Sequence, residues 1–210
     1  MNLFKRSKNK ESVEQSTAIS HVIDIERLLV EIEPGAPSGR EDLSQDIAYA
    51  NLETEIKGTP EKEIGGKIVQ EAKPPNWIKI QESAFDLLTR AHDLRIAIHL
   101  TRALLNAHGL EGLYTGLELI GSLVDGYWDT LYPQLDPLDN FDPIERMNSL
   151  WTLSEGDEII APLMRVSLLS PQPAIQISLR NIHIALGKIS ARAEDANALS
   201  SITEIEKAFK

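Results

Sequence analysis

The chain has 210 residues, 42% of them hydrophobic, which is enough to bury a real core in one large or two small domains. Its 32 acidic residues against 21 basic ones leave a net charge of −11, and this argues against a nucleic-acid surface, because phosphate binding is driven by concentrated Lys and Arg. The lack of cysteine removes disulfides, thiolate catalysis and thiolate metal sites together and fits a reducing compartment. No apolar run approaches the roughly 18 residues of a membrane span, since Arg95, Arg102 and Glu118 interrupt the richest stretch.

In chain order, Lys5, Arg6, Lys8 and Lys10 give the first ten residues +4 and leave the rest near −15. No apolar segment backs this opening, so it reads as no secretory signal, and a cytoplasmic location is the expectation. Residues 1–18 read as a disordered basic tail, with too little apolar surface to fold. Val22, Ile25, Leu28 or Leu29 and Ile32 predict a short amphipathic helix stopping before Pro34. The turn-rich connector PGAPSGREDL follows, then a second helix on Leu43, Ile47, Leu52 and Ile56, closed by Gly58 and Pro60. Residues 59–75, with Gly65-Gly66 and Pro74-Pro75, read as the main internal loop.

Asn76 predicts the cap of a helix with Trp77, Ile80, Ala84, Leu87 and Leu88 on one face. The next helix starts at His92 or Asp93, runs a stripe through Leu94, Ile98, Thr101 and Leu105, and breaks at Gly109. A long helix over 110–131 keeps its period on Leu113, Leu117, Ile120, Val124 and Tyr127 or Trp128. Asp142-Pro143 then starts a helix whose Ile144, Met147 and Leu150 or Trp151 should face inward, and Ser154 or Asp157 a short one through Met164. Residues 171–177 suggest a short extended arm, Ser178 a cap for a helix to Gly187, and 191–210 a C-terminal helix or the start of a linker. The fold class read from these elements is all-α, a multi-helix bundle.

Chemical motifs are scarce. The prolines beside Gly35 and Gly39 would withhold the amide donors a phosphate cradle needs, and there is no G-x-x-x-x-G-K-[ST]. No H-E-x-x-H occurs among the five histidines, and no serine sits in a G-x-S-x-G elbow, so neither catalysis, cofactor nor metal is expected. Asp136, Asp139 and Asp142 lie among prolines and read as turn and helix caps. Arg95 and Arg102, seven apart on an apolar helix, need carboxylates when buried; Asp93, Asp125 and Asp129 are the candidates. Trp77, Trp128 and Trp151 read as core anchors.

An ordered set of motifs adds to this. Asp93-Leu94-Arg95, Leu100-Thr101-Arg102-Ala103-Leu104-Leu105, Gly109-Leu110-x-Gly112 and Tyr127-Trp128-Asp129 with Pro133 resemble the ImpA-type N-terminal domain of TssA proteins of the bacterial type VI secretion system. Pro37-Ser38-Gly39 with Asp42, Asn76-Trp77, Arg146 with Asn148, Ala161-Pro162-Leu163 and Ser178-Leu179-Arg180 extend the likeness over about 30–188. The resemblance implies a helical domain over 19–190 and a non-enzymatic assembly factor, cytoplasmic and recruited to the inner face of the cell envelope. Its expected partners are baseplate, tube, sheath or membrane-complex proteins of that system, with homo-oligomerisation a further expectation. Pro37, Gly39, Asp42, Trp77, Asp93, Arg95, Arg102, Gly109, Tyr127, Trp128, Asp129 and Arg146 carry the motifs, with structural or interaction roles. The alternative is a small-molecule-binding or hydrolytic helical domain with a polar pocket around Arg95, Arg102 and Asp129.

Overall fold

The computed structural model describes residues 22–168 and 177–198, with Ile202, Thr203 and Lys207 beyond them. The basic tail and the arm expected near 171–177 fall outside these residues, except Ile177, whose carbonyl accepts from the Leu168 amide at 2.7 Å.

The centre of the fold is α3, Leu94–Tyr127, which is two helices joined at Gly109. There φ is +67° and ψ is −138°, a region that only glycine occupies at low cost. The chain reverses at this point. A Cβ placed on Gly112 would stand 2.0 Å from the carbonyl oxygen of Leu104, and one on Gly116 would stand 2.5 Å from the Thr101 hydroxyl oxygen. Residues eight and fifteen apart would be roughly 12 Å and 22 Å apart along a straight helix. The two arms therefore form an αα-hairpin, and its missing side chains at Gly112 and Gly116 let the backbones close up. Its ends are stitched together, as Tyr132 N donates to His92 O and Leu94 N donates to Tyr132 O, each at 2.9 Å. The second arm buries Thr115, Leu119, Ile120 and Leu123 rather than the expected Leu113 and Leu117 stripe; Leu117 is exposed.

Helix α2, Trp77–Leu88, packs along α3. Asn76 Oδ1 accepts from Lys79 N at 3.2 Å as its cap, and Ile80, Ala84, Leu87 and Leu88 are buried on the expected face. Burial of each of the larger ones contributes about 1.5–3 kcal/mol. Helix α1, Ile47–Glu55, is capped by Asp46 and puts Leu52 and Ile56 into the same core. The predicted helix over 22–32 is only a 3-10 turn, Ile25–Leu28, because the Leu29 carbonyl is taken by the Tyr127 hydroxyl and Ile32 N turns to Pro37 O.

The all-α expectation needs correction. Residues 59–75 are not a plain loop but a two-stranded antiparallel hairpin, β1 (Lys62–Ile64) and β2 (Lys67–Gln70). Gly65 and Gly66, at φ +60° and +77°, make the two-residue turn that matches strand twist. Every residue of both strands is exposed.

Helix α4, Ile144–Trp151, follows a loop over 136–142 and packs on α3. Its orientation departs from the expectation at Ile144 and Met147, which face solvent with Trp151, while Arg146 is buried; Leu150 packs against the core as one of the two expected alternatives. Trp151, 71% exposed, is no core anchor. A π-helical turn (Gly156–Ile160) runs into α5, Ala161–Arg165. Ser178 caps α6, Leu179–Ala185, with Asn181 completing a reciprocal capping box. Ala193–Ala198 is a 3-10 helix, and Ile202, Thr203 and Lys207 beyond it are α-helical.

Candidate functional site

Most of the motif residues meet at the end of the αα-hairpin away from the Gly109 turn. Asp93, 0% exposed, caps α3 by accepting the Arg95 amide at 2.8 Å, and its carboxylate also holds the Arg95 guanidinium through Nη2 at 2.5 Å. Asp42 takes the same guanidinium at 2.7 Å while capping Ser44 N. Burial works against the Arg95 charge, but Asp93 and Asp42 outweigh it and raise its pKa. Asp42 is held below its ordinary value, since Ser44 and Arg95 overcome the effect of burial. The Pro37-Ser38-Gly39 turn lies against this end, with Ser38 Oγ 2.8 Å from Thr130 Oγ1, Ser38 O accepting from His92 N, and Gly39 so close to Arg90 that a Cβ would come within 2.6 Å of its carbonyl.

Arg146 locks the other side. It is 1% exposed, and its guanidinium donates to three carbonyls, Pro133 O at 2.7 Å, Trp128 O and Leu131 O. The same group lies over the Trp128 ring, 4.7 Å from its centre. These carbonyls belong to the end of α3 and the turn after it, where a cation complements the helix dipole. Burial lowers the Arg146 pKa, with the exposed Asp129 working the other way. Tyr127 reaches from the same end to the Leu29 carbonyl and packs edge-on against the buried His92, ring centres 4.2 Å apart. Trp77, at the first position of α2, is half-buried against the core.

A polar cleft lies between α1, α3 and α4. One cavity of about 180 Å³ is lined by Tyr49, Glu53, Arg95, Ile98, His99, Ser149 and Thr152. A second of about 470 Å³ shares Glu53, His99 and Thr152 and adds Lys57, Arg102, Glu155 and Glu158. His99 Nε2 stands 2.6 Å from Glu53 Oε1, an interaction that lowers the Glu53 pKa. Tyr49 is pushed up to about 12 by burial and by the neighbouring Glu53 carboxylate. Arg102 pairs with Glu158 at 3.0 Å. The expected partners Asp125 and Asp129 are exposed and answer neither arginine. Asp129 lines neither cavity, so of the expected Arg95, Arg102 and Asp129 pocket only the two arginines share this cleft.

Acyl transfer would need an aliphatic hydroxyl aimed at His99, and here the Ser and Thr hydroxyls of the cleft both point back to backbone carbonyls of their own turn. Ser149 donates to Glu145 O at 2.8 Å and Thr152 to Ser149 O at 2.7 Å. Among the described residues no three His, Asp or Glu side chains gather as metal ligands. Glu53 and Glu158 were not singled out in the sequence; the Glu53 contact spans 46 positions and the Glu158 contact 56, with no local pattern to reveal them.

An αα-hairpin clamped at its ends by Asp42, Asp93, Arg95 and Arg146 defines a helical scaffold domain with an ion-paired cleft. The family described as ImpA, N-terminal, type VI secretion system matches residues 29–155, and the chain belongs to it. It is 38% identical over 129 residues to the type VI secretion system component TssA1 of Pseudomonas aeruginosa, covering 61% of this chain and 37% of that protein. The chain thus spans little more than a third of that relative's length. A solved structure, the N-terminal domain including the conserved ImpA_N region of the TssA component from Burkholderia cenocepacia, shares the fold: TM-score 0.62 at 22% identity, over 97% of this chain and 69% of that one. No described helix is long and apolar enough to cross a membrane.

Proposed function

We propose that this chain is a non-enzymatic docking domain that binds baseplate, tail or membrane-complex proteins of a type VI secretion system while the contractile tail assembles. The supporting observation is where the motif residues lie. Asp42, Asp93, Arg95, Tyr127, Trp128 and Arg146 hold the hairpin ends together through contacts with one another and with backbone carbonyls of the chain. A family motif that serves the scaffold leaves recognition to the outer surface. On this reading the domain runs over 19–190 behind a basic tail at 1–18, with 191–210 a C-terminal helix or the start of a linker. It works on the cytoplasmic side, recruited to the envelope by its partners, and self-association is part of the same proposal. The small-molecule reading has less support, because the His99 and Arg102 side chains in the cleft already face carboxylates of the chain itself.

The test is deletion of this domain from the full secretion protein, followed by assays of effector release and sheath assembly in cells. Loss of both is expected, and normal assembly refutes the docking role. A hydrolytic activity abolished by changing one cleft carboxylate would revive the enzyme reading.

A further inference from the structure

The outer face of α4 is dressed as an interface. Ile144, Met147 and Trp151 fall on one stripe by helical spacing, spanning roughly 10 Å along the axis. The loop before it presents Phe141, 57% exposed, and Leu138, 96% exposed. Together these five side chains expose on the order of 600 Å², the upper end for the largest apolar patch of a typical monomer. The loop is fixed rather than loose. Asp136 Oδ1 accepts from Leu138 N, Asp142 Oδ1 accepts from Ile144 N, and Phe141 N donates to Asp136 O. Asn140 and Phe141 both have positive φ, +53° and +58°, a strain that a bulky aromatic bears where its placement is imposed.

The surrounding charge identifies the occupant. From Ala103 to Met164 the chain has eleven carboxylates and one cation of the Lys or Arg type, Arg146, which is buried on three carbonyls. Asp136, Asp139, Asp142 and Glu145, all exposed, alternate with the patch residues along the chain, and among the described residues none is in an ion pair. A second copy of the same face would set acid against acid. We infer that the α4 face with Phe141 and Leu138 docks a basic amphipathic helix of another protein, its apolar stripe on Ile144, Met147 and Trp151 and its Lys or Arg residues on the four carboxylates. This rests on the docking reading above and names the surface and the partner chemistry for it.

The probe is a Leu/Lys peptide of about four helical turns, with a Leu/Glu peptide of the same pattern as control, titrated into the whole chain. Trp77 and Trp128 are half-buried, so a blue shift of tryptophan emission reports mainly Trp151. Expected results are saturable binding of the Leu/Lys peptide alone, weakening with salt, and at least tenfold loss in both Ile144→Ser/Met147→Ser and Asp139→Lys/Glu145→Lys. These residues are exposed and cap nothing, so both variants should keep the parent melting temperature. Binding unchanged in either variant overturns the inference, as does sedimentation showing a dimer that Ile144→Ser/Met147→Ser abolishes. In cells, Ile144→Ser/Met147→Ser in the full protein should block sheath assembly. If deleting the domain blocks assembly and this variant does not, the inference falls and the docking function stands; if the deletion is harmless, the docking function itself falls.

Discussion

Replacing Arg146 with Met should destabilise the domain more than any other single change outside the apolar core. The substitution keeps approximate volume and removes all the donors that serve Pro133 O, Trp128 O and Leu131 O. Two of those contacts are buried, and a buried acceptor left without a donor costs about 1–3 kcal/mol. Losing the cation over the Trp128 ring adds about 1 kcal/mol. Relief from holding a charge in the interior returns part of this, so the net loss should be about 3–5 kcal/mol, the range for breaking a buried charged contact. For a chain of this size each kcal/mol moves the midpoint by roughly 2–4 °C, so the variant should melt roughly 10 °C lower. Calorimetry gives the midpoint, and urea unfolding with an unchanged slope shows that the denatured state is not the cause. Arg146→Lys should recover less than half, because a single ammonium cannot fork to three carbonyls around it. A melting point within about 2 °C of the parent for Arg146→Met refutes this account of the clamp.

Arg95→Met leaves the Asp93 carboxylate buried without its cation and should cost about 3 kcal/mol in urea unfolding, whereas Arg40→Met, on an exposed pair with Glu33, should cost under about 0.5 kcal/mol. Gly116→Ala forces a Cβ against the stiff Thr101 side chain and should destabilise by about 1–3 kcal/mol despite better helix propensity; Gly121→Ala, with open space around it, should stabilise slightly. His92 is buried and its pKa is lowered by burial to about 4, the Val30 backbone acting weakly against the shift. The unfolded chain therefore binds the extra proton between about pH 6.5 and pH 4, and acid removes stability across that window. Unfolding free energy should fall by about 2 kcal/mol from pH 7 to pH 5, and His92→Leu should flatten that slope. An equal slope in the variant would sink the assignment.

The sequence was readable where local rules govern the outcome. Asn76 and Ser178 as caps, the inward stripe of α2, and Gly109 as the break all follow from side chains acting on their own turn. Arg95 was legible for the same reason, as its main carboxylate lies two residues away. The α4 face was misread because periodicity groups apolar residues on one side of a helix without saying whether that side meets the core of the chain. A buried Arg146 among carbonyls leaves no pattern in sequence, and it occupies the side that Ile144 and Met147 were expected to fill. The hairpin had its signal in Gly65-Gly66, yet the flanking strands are short, charged and exposed, so no alternation marked them.

The αα-hairpin also dictates an order of assembly. Its internal contacts join residues such as Thr101 and Gly116 that are near in sequence, so little chain entropy is lost in closing it, and contacts of this kind form fast. The flanking parts have their anchors on its finished ends: Leu29 waits for Tyr127, and Arg146 waits for the carbonyls of Trp128 and Leu131. Segment 22–58 and α4 can lock down only after those ends exist, and on unfolding they leave first. Amide hydrogen exchange should then be slowest along Leu94–Leu105 and faster in α1 and α4, the helix that carries the acidic docking face being released while the hairpin beneath it still holds.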